Sequence, residues 1–127
     1  MRKEAEAWRA IAEEELQSAE YLAEKKLFRM VCYHAQQSVE KSLKALLVDR
    51  EIDIPRTHNV LDLLAALRTL NVRPDLSEED AVFLNSVYRS RYPAGLGMMP
   101  GGEPSAGDAE KALRIAKNTH LWMWKER

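Results

Sequence analysis

The sequence predicts an all-α protein, an antiparallel four-helix up-and-down bundle with an additional short helix. Three observations carry that expectation. Apolar and small residues return at helical spacing along most of the chain, no stretch alternates in a way that requires a sheet, and proline, asparagine and glycine break the pattern into five segments. At 127 residues, 46% of them hydrophobic, the chain can build one domain with its own core but is short for two, so residues 1–127 read as a single domain.

The first helix is expected from about Lys3 to Lys26, where Trp8, Ile11, Ala12, Leu16, Ala19, Leu22 and Ala23 recur among glutamates and lysines. A second begins at Leu27 or Phe28, runs through Val31, Cys32, Ala35, Val39, Leu43, Leu46 and Leu47, and ends near Arg50, with Pro55 forbidding a regular continuation. The third is short. It opens around Thr57, whose hydroxyl suits a cap, buries Val60, Leu61, Leu64 and Leu67, and breaks at "NVRPD". The fourth starts at Ser77 in "LSEED", with Asp80 three residues on and Leu76 and Ala81 in staple positions; Val82, Leu84, Val87 and Tyr88 form its apolar side, and Pro93 stops it.

Composition then changes. Residues 93–108 hold all five glycines and three of the five prolines, which reads as a loop or lid without secondary structure of its own. The last helix follows from Asp108, taken as its cap, through Ala109, Ala112, Leu113, Ala116, Leu121 and Trp124. In its closing "HLWMWKER", two tryptophans two positions apart cannot share a helical side, so one should enter the core and the other meet a partner surface.

The totals narrow the chemistry. With 19 basic against 20 acidic residues the net charge is −1, so no global positive field gathers polyanions and any nucleic-acid site is local. A single cysteine, Cys32, excludes an internal disulfide. No signal-like or membrane-spanning apolar run occurs, and a cytoplasmic protein without membrane attachment is expected. The three histidines, His34, His58 and His120, lie in separate segments with no metal-ligand spacing, and "GLGMMPGG" lacks a phosphate-loop context; neither a metal nor another cofactor is expected.

The second helix carries a polar face of Tyr33, His34, Gln36, Gln37, Glu40, Lys41 and Lys44. Glu40 and Lys44 can support each other one turn apart, Gln37 and Lys41 share an adjacent arc, and an interhelical hydrogen bond is the expected use of His34. "NSVYRSRYPAG" adds Tyr88, Arg89, Arg91 and Tyr92 where the fourth helix ends. Arginines there complement the helix dipole, and with the tyrosines they offer a contact for an anion or a partner.

The segments "CYHAQQSVEKSLKALL", "PRTHNVLDLL" and "VYRSRYP", with the early Trp8 helix and the alanine-rich last helix, closely resemble the HEPN domain family across essentially the whole chain. The resemblance implies the five-helix bundle, commonly a homodimer, and a nucleotide- or RNA-associated binding or regulatory role, with a minimal nucleotidyltransferase as partner in a toxin–antitoxin-like system. Alternatives are a metal-independent endoribonuclease toxin and a structural interaction domain without nucleic-acid affinity. The resemblance implies, for the family's nucleases, an arginine of the late helix followed by a histidine after roughly four to six intervening residues, the imidazole moving a proton and the guanidinium stabilising phosphate charge. After Arg91 no histidine occurs before His120, so that pair is missing at its matching position. Two other spacings exist. Arg29 and His34 open the second helix, while Arg114 and His120 lie about 120 degrees apart around the last one. Arg29, His34 and Arg91 are therefore the catalytic candidates.

Overall fold

The computed structural model describes residues 1–89 and 103–125. Five helices form among them: α1 (Lys3–Glu24), α2 (Phe28–Asp49), α3 (Val60–Thr69), α4 (Glu78–Arg89) and α5 (Ala106–Lys125). No strand occurs among the described residues. The expected stop at Pro93, and most of the expected loop with Met98 and Met99, lie outside the described residues.

α2 is the central element. It touches all four other helices, and 15 of its 22 residues are buried, so it is covered on nearly every side. α1 approaches it along Ala5, Arg9, Ala12, Leu16 and Ala19, a stripe at alternating four- and three-residue steps whose alanines allow close contact. Ser38 of α2 donates a hydrogen bond to the Ala12 carbonyl at 2.8 Å, fixing the register of the pair. α5, which also packs on α1, buries Ala109, Ala112, Ile115, Ala116, Thr119 and Met123. Leu63, Leu64, Leu67, Leu84 and Val87 of α3 and α4 close the core.

Helices α1, α2 and α3 end in the same way. The residue after each C-cap, Lys26, Glu51 and Asn71, has φ of 58°, 59° and 60°, and the next N–H returns to the carbonyl five residues back: Leu27 to Leu22, Ile52 to Leu47, Val72 to Leu67. Glycine is the usual occupant of this left-handed position. Here all five glycines lie in 93–108, and larger residues hold the turns.

Two expected caps move. At α3 the cap is Asn59, whose side chain accepts from the Leu61 N–H; Thr57 stands upstream, accepting from the Asn59 N–H and donating to Asp62. At α5 the cap is Ser105. Its hydroxyl accepts from the Asp108 N–H at 3.1 Å, while the Asp108 carboxylate accepts from the Ser105 N–H at 2.9 Å, a reciprocal capping box in which Asp108 is the third residue and not the cap. Ser77 caps α4 as expected, accepting from the Asp80 N–H. Some residues assigned to apolar stripes are in fact outside: Ile11, Val82, Leu121 and Trp124 are each at least 42% exposed. In the closing "HLWMWKER" segment Met123 is fully buried, with Trp122 packed against the core.

Candidate functional site

The polar face of α2 is not a solvated surface. Gln36, Gln37, Glu40 and Lys44 are buried, and Glu40 is the centre of their network. Its Oε2 accepts from Lys44 Nζ at 2.8 Å, and its Oε1 faces His58 Nδ1 at 3.0 Å and accepts from Gln36 Nε2 at 3.2 Å. Gln36 Nε2 also donates to the His58 carbonyl, and Gln37 Nε2 to Gln36 Oε1. Lys44 sits 5.8 Å from the Trp8 ring, which adds a cation–π contact from α1. A carboxylate can only accept, so His58 Nδ1 carries the proton and, in the neutral ring, Nε2 is left as an acceptor. The His58 side chain is 61% exposed although its partner is almost wholly buried. Glu40 thus fixes an accessible imidazole from beneath.

A second carboxylate does the same for His34. Glu15 of α1 accepts on one oxygen from His34 Nδ1 at 2.7 Å and on the other from Lys41 Nζ at 2.9 Å. This is the interhelical bond expected of His34, and it leaves the Glu15 side chain only 14% exposed within a glutamate-rich helix. Rings join the two histidines. His34 meets Tyr33 edge-on at 5.1 Å, Tyr33 stacks on Tyr88 at 6.0 Å, and Tyr88 stacks on His58 at 5.2 Å.

Next to the His58–Tyr88 stack lies a pocket of about 120 Å³ lined by His58, Asn59, Asn85, Tyr88 and Arg89. Its walls come from the start of α3 and the last turns of α4. Asn59 Oδ1 accepts from Leu61 N–H and from Asn85 Nδ2, while Asn85 Oδ1 accepts from Val60 N–H, locking α4 to the first turn of α3. Tyr33, His34, Gln37, Lys41, Tyr88 and Arg89 thus fall in or beside one region. Arg91 and Tyr92 lie outside the described residues. Arg29 and His34 are not used together: Arg29 pairs with Glu103 and lines a different pocket from His34. Sequence reasoning missed Glu15, Asn59 and Asn85 and gave His58 no site role. Only the adjacency of Thr57, His58 and Asn59 ahead of a helix hinted at the last of these.

The third histidine belongs to the α1–α5 contact. His120 Nε2 accepts from Trp124 Nε1 at 2.6 Å and lies 3.8 Å from Glu13, and Arg9 places its guanidinium 3.6 Å from the centre of the Trp124 ring. Burial lowers the His120 pKa from the usual 6.5; Glu13 and Glu20 oppose that shift and Arg9 adds to it. The folded state therefore binds fewer protons here than the unfolded chain, and stability is complete above about pH 6.5 and falls as the pH drops below it. His120→Gln, whose amide oxygen can still accept from Trp124, should flatten the dependence of Tm on pH between about 6.5 and 5; an unchanged slope would assign the acid sensitivity to other groups. Cys32 is inert by comparison, its thiol pushed up to about 12 by burial and by Asp108.

Five helices around a buried polar network, with an exposed imidazole and a guanidinium at one pocket, define a small all-α domain. The chain belongs to the HEPN domain family, whose sequence profile matches residues 5–126. Two solved structures share the fold over nearly their whole length. TT1696 from Thermus thermophilus is 25% identical with a TM-score of 0.74, covering 99% of this chain and 100% of that one. ST0689, an archaeal HEPN homologue, is 24% identical with a TM-score of 0.69, covering 99% and 98%. No curated protein sequence matches the chain. Among the described residues no helix is long and apolar enough to cross a membrane, and no group of three or more His, Cys, Asp or Glu is placed to hold a metal ion.

Proposed function

We propose that this HEPN protein is a nucleotide- or RNA-associated binding component, regulatory and not catalytic, whose ligand meets the pocket at His58. The observation that supports the reading is the grouping of a fixed, exposed imidazole stacked on Tyr88 with the Arg89 guanidinium at the same pocket. Flat rings contact nucleobases and a guanidinium contacts phosphate. Arg89 has no ion-pair partner among the described residues. About 120 Å³ is small against the roughly 300 Å³ at which ordinary ligand sites begin, so the pocket suits a base or a phosphate group and not a whole nucleotide. Arg91 and Tyr92, next along the chain, are proposed to extend the contact. Family kinship supports a homodimer and a minimal nucleotidyltransferase as partner in a toxin–antitoxin-like pair.

Labelled single-stranded RNA, titrated with the protein in the presence of chelator, tests this. Binding without cleavage is expected, weakened about tenfold or more by His58→Ala and by Arg89→Ala, the scale of one charge-assisted hydrogen bond. The second reading, a metal-independent endoribonuclease, is favoured by the two imidazoles that carboxylates orient through Nδ1. Cleavage that survives chelator and disappears in His34→Ala would establish it in place of the first. No affinity for RNA or nucleotides would leave a structural interaction domain.

A further inference from the structure

A second cavity, of about 560 Å³, shares no lining residue with the His58 pocket. It lies where the C-terminal ends of α2 and α3 meet the last turns of α5. Leu46, Val72 and Trp122 give it an apolar side, and Arg50, Asn71 and Arg73 are the polar donors around it. The acids nearby are already engaged. Asp49, also in the wall, accepts from the Arg2 backbone N–H at 2.7 Å, and Glu51 pairs with the Arg2 guanidinium at 3.0 Å. Arg50 and Arg73, by contrast, have neither an ion pair nor a side-chain hydrogen bond among the described residues.

Arginines at helix C-termini ordinarily hydrogen-bond the last carbonyls. At this end the backbone itself satisfies them: the N–H groups of Glu51 and Ile52 return to Val48 and Leu47, and those of Asn71 and Val72 return to Arg68 and Leu67. The two guanidinium groups are therefore not needed as caps. The Trp122 indole N–H likewise has no hydrogen-bond acceptor among the described residues. Donors without acceptors, set beside an apolar wall in a cavity within the range of small-molecule sites, call for one kind of ligand.

We propose that this cavity binds a small organic anion, an aromatic or aliphatic body carrying one carboxylate or phosphate, with the anion held by Arg50 and Arg73 and the body packed on Trp122, Leu46 and Val72. The fork of each guanidinium matches either oxyanion in bidentate fashion. This site is independent of the RNA or nucleotide contact at His58.

The test is a titration of the ¹⁵N-labelled full chain, following the indole N–H resonances of its three tryptophans, with Trp122 assigned through Trp122→Phe. Phenyl phosphate and benzoate are expected to move the Trp122 resonance saturably. Inorganic phosphate, which lacks the body, and benzyl alcohol, which lacks the charge, should each bind about tenfold more weakly or worse. Arg50→Gln and Arg73→Gln should each weaken phenyl phosphate by about tenfold. Both arginines are exposed, so these variants keep the fold, and an unchanged Tm verifies it. His58→Ala should leave the affinity as it was, which separates failure here from failure of the RNA contact. The proposal is overturned by the absence of a saturable shift up to about 10 mM, by equal binding of phenyl phosphate and benzyl alcohol, or by unaltered affinity in the double arginine variant.

Discussion

Replacing Glu40 by alanine is expected to destabilise the protein by about 3–5 kcal/mol, the cost of breaking a buried ion pair by removing one partner. The side chains of Glu40 and Lys44 are only 2% and 10% exposed, so Lys44 would lose its ion-pair partner in a place that water reaches poorly. Gln36 would lose an acceptor and His58 its anchor at Nδ1. The loss should be read from chemical denaturation with the slope unchanged, which marks a change in stability and not in the unfolded ensemble. The paired replacement Glu40→Leu with Lys44→Met tests the cause. Removing both charges together and refilling the volume should recover most of the stability, as buried pairs often prove neutral against apolar residues of similar size. The same double variant should still bind RNA poorly, because His58 is then unoriented. A loss below about 1 kcal/mol in Glu40→Ala would mean that water already solvates the carboxylate.

The polar face of α2 shows where sequence stops being legible. Helical periodicity separates apolar from polar sides, and Val31, Cys32, Ala35, Val39 and Leu43 were assigned to the core on that basis. Periodicity says nothing about what covers the polar side. Gln36 and Glu40 are wholly inside because α3 and α4 pack there, a fact that depends on residues 18 and more positions away. A run of glutamines and paired charges reads the same whether it faces water or a neighbouring helix. Glu15 is the parallel case on α1. It belongs to a glutamate-rich stretch, and only the arrival of α2 with His34 and Lys41 distinguishes it from the others.

Local signals fared according to how local they are. Five helices could be placed because each stripe lies within one segment. Ser77 was identified as a cap because its bond to the Asp80 N–H is made within its own turn. Thr57 and Asp108 were misplaced by two or three residues because threonine, asparagine, serine and aspartate are all competent caps, and the choice between neighbours rests on backbone angles that the residue types do not reveal. Tyr88 of "NSVYRSRYPAG" is joined to Glu40 through His58, which stands on a separate segment. Chain-distant pairing, not residue type, was the missing information.

Leu43→Ala carries the other large effect, and it tests the central position of α2. Leu43 is wholly buried, in the middle of the one helix that touches all the rest. The residues that α1 and α5 bury include the small Ala12 and Ala19 from one and Ala112 and Ala116 from the other, and close-packed helices of this kind have little room to collapse further. A cavity made there should stay open. The expected cost is in the upper half of the roughly 2–5 kcal/mol range for leucine truncation, or a fall in Tm of about 10–20 °C. Leu43→Met conserves volume and should cost less than about 1.5 kcal/mol. Leu121→Ala is the control. That residue is 57% exposed on α5, beside the exposed Trp124, and in an isolated chain its truncation should stay within about 0.5 kcal/mol. If instead Leu121→Ala lowers Tm in a way that depends on protein concentration, the α5 surface is buried in the proposed homodimer, and stability there belongs to the assembly and not to the bundle.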